Sequence, residues 1–203
     1  MKLFRTNEID TDSFKVGDVI SFTLNDGEEV EALAVKQEQD GMLFCFVDCL
    51  KKAYRMNRKD TNEGGYFASD LRGILNGEIL DRFPVELRSR LLPLENGDLL
   101  RLPTEKEILE ENYYGEYESP YVKQWKPMKK RRNRMAFDGS KCENLQWYWL
   151  MNKVRESAAG FALVGSGGLA DYGSASNSYG VRPAFKIQNH TPLCGVKGFD
   201  YGI

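Results

Sequence analysis

Residues 19–35 have the sequence Val-Ile-Ser-Phe-Thr-Leu-Asn-Asp-Gly-Glu-Glu-Val-Glu-Ala-Leu-Ala-Val, and this stretch decides the fold class. Apolar residues dominate the run 16–24, and the turn-forming triplet Asn-Asp-Gly ends it. The run 28–35 then alternates apolar and acidic residues, and a third apolar run follows a second turn at 42–47. Three strands joined by two short turns predict an antiparallel meander.

Apolar residues recur at helical spacing beyond the meander. Ser69 is a favourable N-cap for a helix predicted over residues 70–80, and Pro84 suits the first turn of a second short helix. Thr104 and Glu107 have capping-box spacing for a third helix that ends near residue 111. A strand is predicted over 99–102, just before this helix.

No period persists from residue 112 to 142, although the segment is rich in aromatic side chains. A connection of this length is unusual in a compact domain, so we expect its aromatic side chains to pin it. The last third is strand-like at 146–151, 160–164 and 178–187. The glycine-rich segment between the final two strands is predicted to be a flexible loop.

These elements predict an α+β fold of antiparallel sheets with two or three short helices. We expect one domain over 1–203, with a core at about 16–188 and a C-terminal tail at 189–203. The sequence from Phe161 to Gly168 imitates the start of a dinucleotide-binding unit. That unit needs a helix after its glycines, and the following residues have no helical period, which disfavours nucleotide binding.

Composition excludes several classes of site. The chain has 28 basic and 30 acidic residues, a formal net charge of −2, which gives no reason to expect general adhesion to nucleic acid or to membranes. His190 is the single histidine, in a polar stretch that predicts a solvent-facing position, so a zinc site with two or three histidines is impossible within one chain. Catalysis by a histidine triad would depend entirely on that residue.

The four cysteines are Cys45, Cys49, Cys142 and Cys194. None belongs to a C-x-x-C pair, and Cys45 and Cys49 would lie about 13 Å apart in a strand, too far for a disulfide. We therefore predict reduced core thiols, with no metal and no cofactor. The first eight residues lack an apolar signal region and no run of 18 apolar residues occurs, which makes a cytoplasmic location the default expectation and predicts no membrane partner.

A basic run lies in the aperiodic segment. Its six cations are Lys126, Lys129, Lys130, Arg131, Arg132 and Arg134. The favoured interpretation is a solvated run, or one neutralised by the upstream acids Glu105, Glu107, Glu110, Glu111, Glu116 and Glu118. Binding of nucleic acid phosphates is the minor alternative.

Trp147 and Trp149 alternate with Tyr148, so both indoles face one side of a strand. Core packing is favoured, with an aromatic platform for a sugar or a base as the alternative. Arg182 precedes Pro183, which cannot donate to a ladder, so the strand begins at Pro183 or lies on an edge there. A partly buried structural clamp is favoured for Arg182, and anion binding is the alternative.

Two segments near the C-terminus occur in a fixed order with a glycine-rich loop between them: Tyr-Trp-Leu at 148–150 and Tyr-Gly-Val-Arg-Pro-Ala-Phe at 179–185. In this order they resemble the C-terminal part of a bacterial and phage family, domain of unknown function 6273. Two further motifs agree, Leu-Asn-Gly at 75–77 and Leu-Pro-Thr-Glu-Lys-Glu at 102–107. The resemblance covers about 16–188. The family is similar to the formylglycine-generating-enzyme branch of the C-type-lectin-like fold, which implies a closing Gly-x-Arg strand preceded by a ligand-binding loop.

The leading hypothesis is therefore a non-enzymatic recognition domain for a protein or small ligand of unknown identity, which binds through residues 165–179. The polar and aromatic composition of this segment matches that of antibody-like contact surfaces. The candidate contacts are Ser166, Asp171, Tyr172, Ser174, Asn177 and Tyr179. The alternatives are a degenerate oxidase of the formylglycine-generating type, although no cysteine occurs between Cys142 and Cys194, and a structural part of a phage or mobile-element assembly.

Overall fold

The predicted meander is present in the computed structural model, which describes residues 14–139 and 144–188. Strands β1 (Val19–Thr23), β2 (Glu29–Gln37) and β3 (Gly41–Phe46) pair antiparallel in sequence order. A bulge between Ala34 and Lys36 lets β2 continue past its predicted end. The antiparallel meander predicted over residues 16–47 is confirmed.

The middle of the chain supplies the helices. After β4 (Tyr54–Arg55), Ser69 caps α1 (Asp70–Ile74), and a π-helical turn at Leu75–Ile79 continues it as predicted. Helix α2 (Val85–Arg88) begins directly after Pro84 and leads into β5 (Leu91–Leu92). The capping box of Thr104 and Glu107 starts α3 (Glu105–Leu109).

Residues 99–102 do not form the predicted strand, apart from a single bridge between Arg101 and Ala184. The Asn76 side chain on the π-helical turn occupies this segment instead. Its Oδ1 accepts from the backbone N–H of Leu99 and Leu100, and its Nδ2 donates to the Leu100 carbonyl. Because a side chain satisfies these backbone groups, no sheet partner is needed.

The last third contains more strands than the sequence predicts. They are β6 (Ala136–Phe137), β7 (Leu145–Gln146), β8 (Tyr148–Lys153), β9 (Gly160–Val164), β10 (Ala170–Ser174), β11 (Ser178–Tyr179) and β12 (Ala184–Gln188). The larger sheet has the order β1-β2-β3-β12-β5, and the smaller has the order β10-β9-β8. The α+β prediction is confirmed: antiparallel sheets carry a few short helices.

The buried residues form two hydrophobic clusters, because successive residues of each strand point to opposite faces of the sheet. Phe44, Phe185 and Trp149 belong to the larger cluster, which the α1 helix covers. Cys45 and Tyr148 belong to the smaller cluster, which is covered by α3 and the segment around Trp125 and Met128. Each sheet therefore has apolar residues on both faces, and the segment 105–136 lies over the second face.

Arg182 connects these layers. Its guanidinium is 1% exposed, and it donates from Nε to the Phe46 carbonyl at 2.9 Å and from one terminal nitrogen to the Tyr148 hydroxyl at 2.9 Å. The Asn133 carbonyl lies 3.4 Å from both terminal nitrogens. Arg182 is thus more deeply buried than the partly buried clamp that the sequence predicts, and carbonyls and a hydroxyl are its partners. The strand β12 begins directly after Pro183, which agrees with the first of the two positions predicted for that proline.

We expect the substitution Arg182→Lys to lower the free energy of unfolding by about 3 kcal/mol. A lysine keeps the buried charge but cannot reach the three acceptors in their fan-shaped arrangement, and charge-assisted hydrogen bonds contribute about 1.5–3 kcal/mol each. Urea unfolding followed by circular dichroism measures the change. The control Arg58→Lys, at an exposed arginine, should change stability by less than about 0.5 kcal/mol. Equal stability of the two variants would contradict the clamp.

Candidate functional site

The segment 165–179 is a hairpin strand rather than the flexible loop predicted from its composition. The Gly165 amide donates to the Leu169 carbonyl at 2.9 Å, which closes the turn, and β10 pairs with β9 from Ala170 to Ser174. Alanine, aspartate, glycine and serine are poor strand formers, which is why propensity missed β10. Pairing with the apolar strand β9 overrides that preference.

The six candidate contact residues do not form one surface. Ser166 lies in the hairpin turn, and Asp171 is half-buried, with its Oδ1 accepting from the neighbouring amide of Tyr172 at 2.8 Å. Tyr172 is 51% exposed, on the opposite face of β10 from Asp171. Ser174, Asn177 and Tyr179 lie toward the far end of the strand and beyond it.

The serine cluster at that far end has its hydroxyls already engaged. The Ser174 and Ser176 hydroxyls both donate to the Asp60 carboxylate, and the Ser174 hydrogen bond lowers the pKa of Asp60 below its ordinary value. Asn177 is exposed beside them. This cluster anchors the end of the hairpin to the loop that holds Asp60.

Tyr179 packs on the other face of the hairpin. Its ring lies parallel to Trp147, with centroids 6.1 Å apart, and edge-on to Trp149 at 4.8 Å. Gly173 leaves room for it, since a Cβ there would lie 2.6 Å from the Tyr179 ring. Trp149 is fully buried, as predicted, whereas Trp147 is 38% exposed, so the core prediction holds for one indole of the two.

Tyr172 packs against Tyr114, which the sequence analysis did not propose as a contact residue. Its ring lies 4.9 Å from that of Tyr114, and both side chains are exposed. Ala170, two residues earlier on the same face, packs on the smaller cluster. Tyr172 therefore points to the side of the sheet that the segment 105–136 covers.

The loop around Tyr114 is held by a buried carboxylate. Glu105 is fully buried and accepts from the amides of Tyr114 at 3.0 Å and Gly115 at 2.9 Å. The Glu118 carboxylate accepts from the side chains of Asn112 and Asn152 nearby. Acidic residues and the buried ring of Trp125 thus hold the loop. The prediction that aromatic side chains pin this segment therefore holds for Trp125 but not for the tyrosines. Those tyrosines are exposed: Tyr113, Tyr114, Tyr117 and Tyr121.

The basic run forms two 3-10 turns, Lys126–Lys129 and Arg131–Asn133, which we call the basic turns. Trp125 and Met128 are buried beneath them, and the Trp125 amide donates to the Glu107 carbonyl at 2.9 Å. The cations with exposed side chains are Lys126, Lys129, Lys130, Arg131 and Arg132.

The upstream acids do not neutralise this run. Glu107 pairs with Arg101, and Glu116 pairs with Lys153. Within residues 14–139 and 144–188, no cation of the run forms an ion pair with a carboxylate. Glu105 faces inward, and the exposed Glu110 and Glu111 form no ion pair with the run within these residues. The internal-pairing interpretation is therefore wrong for the described residues, and the exposed cations agree with the solvated alternative.

The basic turns touch the tip of the β9–β10 hairpin. The Arg131 Nε donates to the Gly167 carbonyl at 2.7 Å. From Gly168 to Tyr172 is four residues, a span of at most about 13 Å along an extended strand. Arg131 therefore connects the basic turns to the hairpin that carries Tyr172. We define the β10 surface as the exposed cations of these turns together with the aromatic pair: Tyr114, Lys129, Lys130, Arg131, Arg132 and Tyr172.

A separate open groove of about 350 Å³ lies between the first hairpin, residues 51–54, and the segment 78–82. Arg82 bridges Asp26 and Glu28 there, and Lys52 pairs with Glu78 at 2.9 Å. The hydrogen bond from Arg82 lowers the pKa of Asp26, and that from Lys52 lowers the pKa of Glu78. These charges compensate one another, so the groove offers a ligand little unpaired charge.

The structure also bears on thiol chemistry and on membranes. Cys45 and Cys49 are free and buried; burial raises the pKa of Cys45 to about 11 and that of Cys49 further, so both are protonated at neutral pH.

No group of three or more histidine, cysteine or acidic side chains among the described residues is arranged to hold a metal ion. No described helix has the length and apolar character needed to cross a bilayer. Cys142, Cys194, His190 and the tail from 189 lie outside the described residues.

Comparisons with protein-family models, with curated proteins and with solved structures gave no match to this chain. The site must therefore be interpreted from its geometry.

We expect Glu105→Gln to loosen the loop that carries Tyr114. Replacing one carboxylate oxygen by an NH2 group places a donor opposite one of the donating backbone amides, at a cost of about 2 kcal/mol. Amide hydrogen exchange at Tyr114 and Gly115 should accelerate more than tenfold, while exchange in β9 stays unchanged. The control Glu111→Gln, at an exposed position, should leave both rates unaltered. Unaltered exchange at Tyr114 in Glu105→Gln would show that another contact holds the loop.

Proposed function

We propose that this protein is a non-enzymatic recognition domain that binds its ligand through the β10 surface. The observation that carries the proposal is the ring contact between Tyr172 and Tyr114. It joins an edge strand of the smaller sheet to a separate loop, so two independent segments present one exposed aromatic patch. Exposed tyrosines that are fixed in place contribute large contact area at low cost in side-chain entropy.

Preorganisation supports this assignment. The two backbones that carry the rings are fixed by β9 pairing on one side and by the Glu105 carboxylate on the other. A surface ordered before binding loses less entropy when the ligand arrives. Of the six residues predicted as contacts, the β10 surface contains only Tyr172. Ser174 and Tyr179 already have partners within the fold, whereas Ser166, Asp171 and Asn177 lie outside the surface as defined.

We further propose the C-type-lectin-like architecture of the formylglycine-generating-enzyme branch, and kinship with domain of unknown function 6273. Support comes from the closing strand. The residues Gly180, Val181 and Arg182 lead directly into β12, which pairs with β3 and so joins the end of the chain to its first sheet. Gly180 fits this close crossing, since a Cβ there would lie 2.5 Å from the Cys49 sulfur.

The oxidase alternative gains no such support. It requires an accessible pair of thiols, whereas the two cysteines among the described residues, Cys45 and Cys49, are buried in the smaller cluster. Their raised pKa values also oppose formation of thiolates at neutral pH.

An array of oligosaccharides, peptides and oligonucleotides tests the proposal. We expect the protein to retain at least one probe class, and the double substitution Tyr114→Ala with Tyr172→Ala to weaken that binding at least tenfold, or about 1.4 kcal/mol. Phe67→Ala is the matched control, because Phe67 is 44% exposed and lies outside the β10 surface, against Arg72.

Two outcomes would contradict the proposal. Retention that survives the double tyrosine substitution would place the contact elsewhere. Absence of retention on every probe, together with a large oligomer in size-exclusion chromatography, would favour the passive structural role instead.

A further inference from the structure

We propose that the ligand of the β10 surface is a single-stranded nucleic acid, a step that rests on the proposed function and names its ligand class. The phosphates would lie against the basic turns, and unpaired bases would stack on Tyr172 and Tyr114. The sequence analysis favours a solvated or internally neutralised run over nucleic acid binding. Neutralisation by the upstream acids does not occur among the described residues, and this leaves exposed cations that can contact phosphates.

Charge is the first argument. The run from Lys126 to Arg134 carries six cations and no acid, while the remaining chain carries 22 basic and 30 acidic residues. A net charge of −2 thus divides into +6 on this short run and −8 elsewhere. The field of the protein directs a polyanion to the basic turns and away from the rest of the surface.

Rigidity is the second argument. Asn133, at the end of the second turn, offers its carbonyl to the buried Arg182, and its side chain donates to the Pro127 carbonyl at 2.8 Å. Met128 is fully buried beneath the first turn. The cations therefore project from a fixed backbone rather than from a mobile tail, so ordering this backbone adds no cost to binding.

Aromatic exposure is the third argument, and it favours single strands. Cations along a backbone path combined with exposed aromatic rings are the two elements of single-strand binding, because every base has a face that can stack on a tyrosine. A paired duplex keeps its bases stacked on each other, and reading it requires a helix or ribbon that enters a groove. An acidic peptide would satisfy the cations but leave the rings without a stacking partner.

The path along the protein from the cations of the basic turns to the tyrosine rings is short. Arg131 is bonded to the hairpin tip at Gly167, and β10 runs from there to Tyr172. Arg131 and Tyr172 both lie on the side of the smaller sheet that the segment 105–136 covers. A strand a few nucleotides long spans cations and rings together.

Fluorescence anisotropy with a labelled oligothymidylate of about 12 nucleotides tests the inference, since site sizes of this class are about 4–16 nucleotides. We expect saturable binding at low salt. If about five phosphates are neutralised, raising salt from about 50 to about 200 mM should weaken binding about 100-fold. A duplex of the same sequence and a labelled oligoglutamate peptide serve as competing probes and should bind at least tenfold more weakly.

Two sets of variants separate charge from stacking. Lys129→Gln, Lys130→Gln and Arg132→Gln together should weaken binding and reduce the salt slope by about 2. Tyr114→Ala with Tyr172→Ala should weaken it about tenfold and leave the slope unchanged. The control removes three exposed cations elsewhere, Lys15→Gln, Arg58→Gln and Lys59→Gln, and should have little effect on either quantity.

Contrary outcomes are distinct. No oligothymidylate binding at about 100 µM protein would overturn the nucleic acid assignment, and the proposed function would then stand if the array still shows tyrosine-dependent retention of another probe class. Equal binding of the duplex would overturn the single-strand assignment. Preferred binding of oligoglutamate would assign an acidic protein partner instead. If neither the cation substitutions nor the tyrosine substitutions change the binding affinity, the β10 surface does not bind the oligonucleotide.

Discussion

The buried guanidinium of Arg182 is the contact on which the rest of the structure depends. It lies between the two sheets, where its hydrogen-bond acceptors are carbonyl and hydroxyl oxygens. It joins the end of β3, the Tyr148 hydroxyl on β8 and the turn at Asn133. Its charge also lies over the Tyr148 ring, with 4.8 Å to the centroid. Removing a cation from water is expensive, so this position is stable only because several acceptors converge on it. The same convergence fixes the basic turns relative to the smaller sheet.

Function follows from that fixed relation. The basic turns, the β10 strand and the tyrosine loop come from three separate parts of the chain, and each is held by a different buried group: Met128 with Asn133, the strand β9, and Glu105. None of these segments forms a surface alone. Together they place unpaired cations beside exposed rings, which is the basis for proposing a recognition role and, from it, a nucleic acid ligand. The paired charges of the groove near Arg82 show the contrasting case, in which polar groups serve the fold.

Local patterns predicted the elements whose signals are local. The meander, the caps at Ser69 and Thr104 and the start of β12 after Pro183 follow from turn residues, capping geometry and the chemistry of proline. What the sequence could not show depends on partners far away in the chain. Strand β10 exists because β9 pairs with it, and residues 99–102 lose their strand because Asn76 satisfies their backbone. The contact of Tyr172 with Tyr114 had no sequence signal beyond the abundance of tyrosine, and charge counting alone could not reveal that Glu105 and Glu107 face inward.

The most direct measurement is an NMR titration of the isotope-labelled protein with oligothymidylate, followed by amide chemical shifts. If cations and rings act as one surface, the amides of Lys129 to Arg132, of Tyr114 and of Tyr172 should shift together and fit a single dissociation constant, while those around Arg82 stay in place. The account would be contradicted by shifts confined to the basic turns or to the tyrosines, or by different dissociation constants for the basic turns and the tyrosines. Shifts centred on the groove near Arg82 would also contradict it.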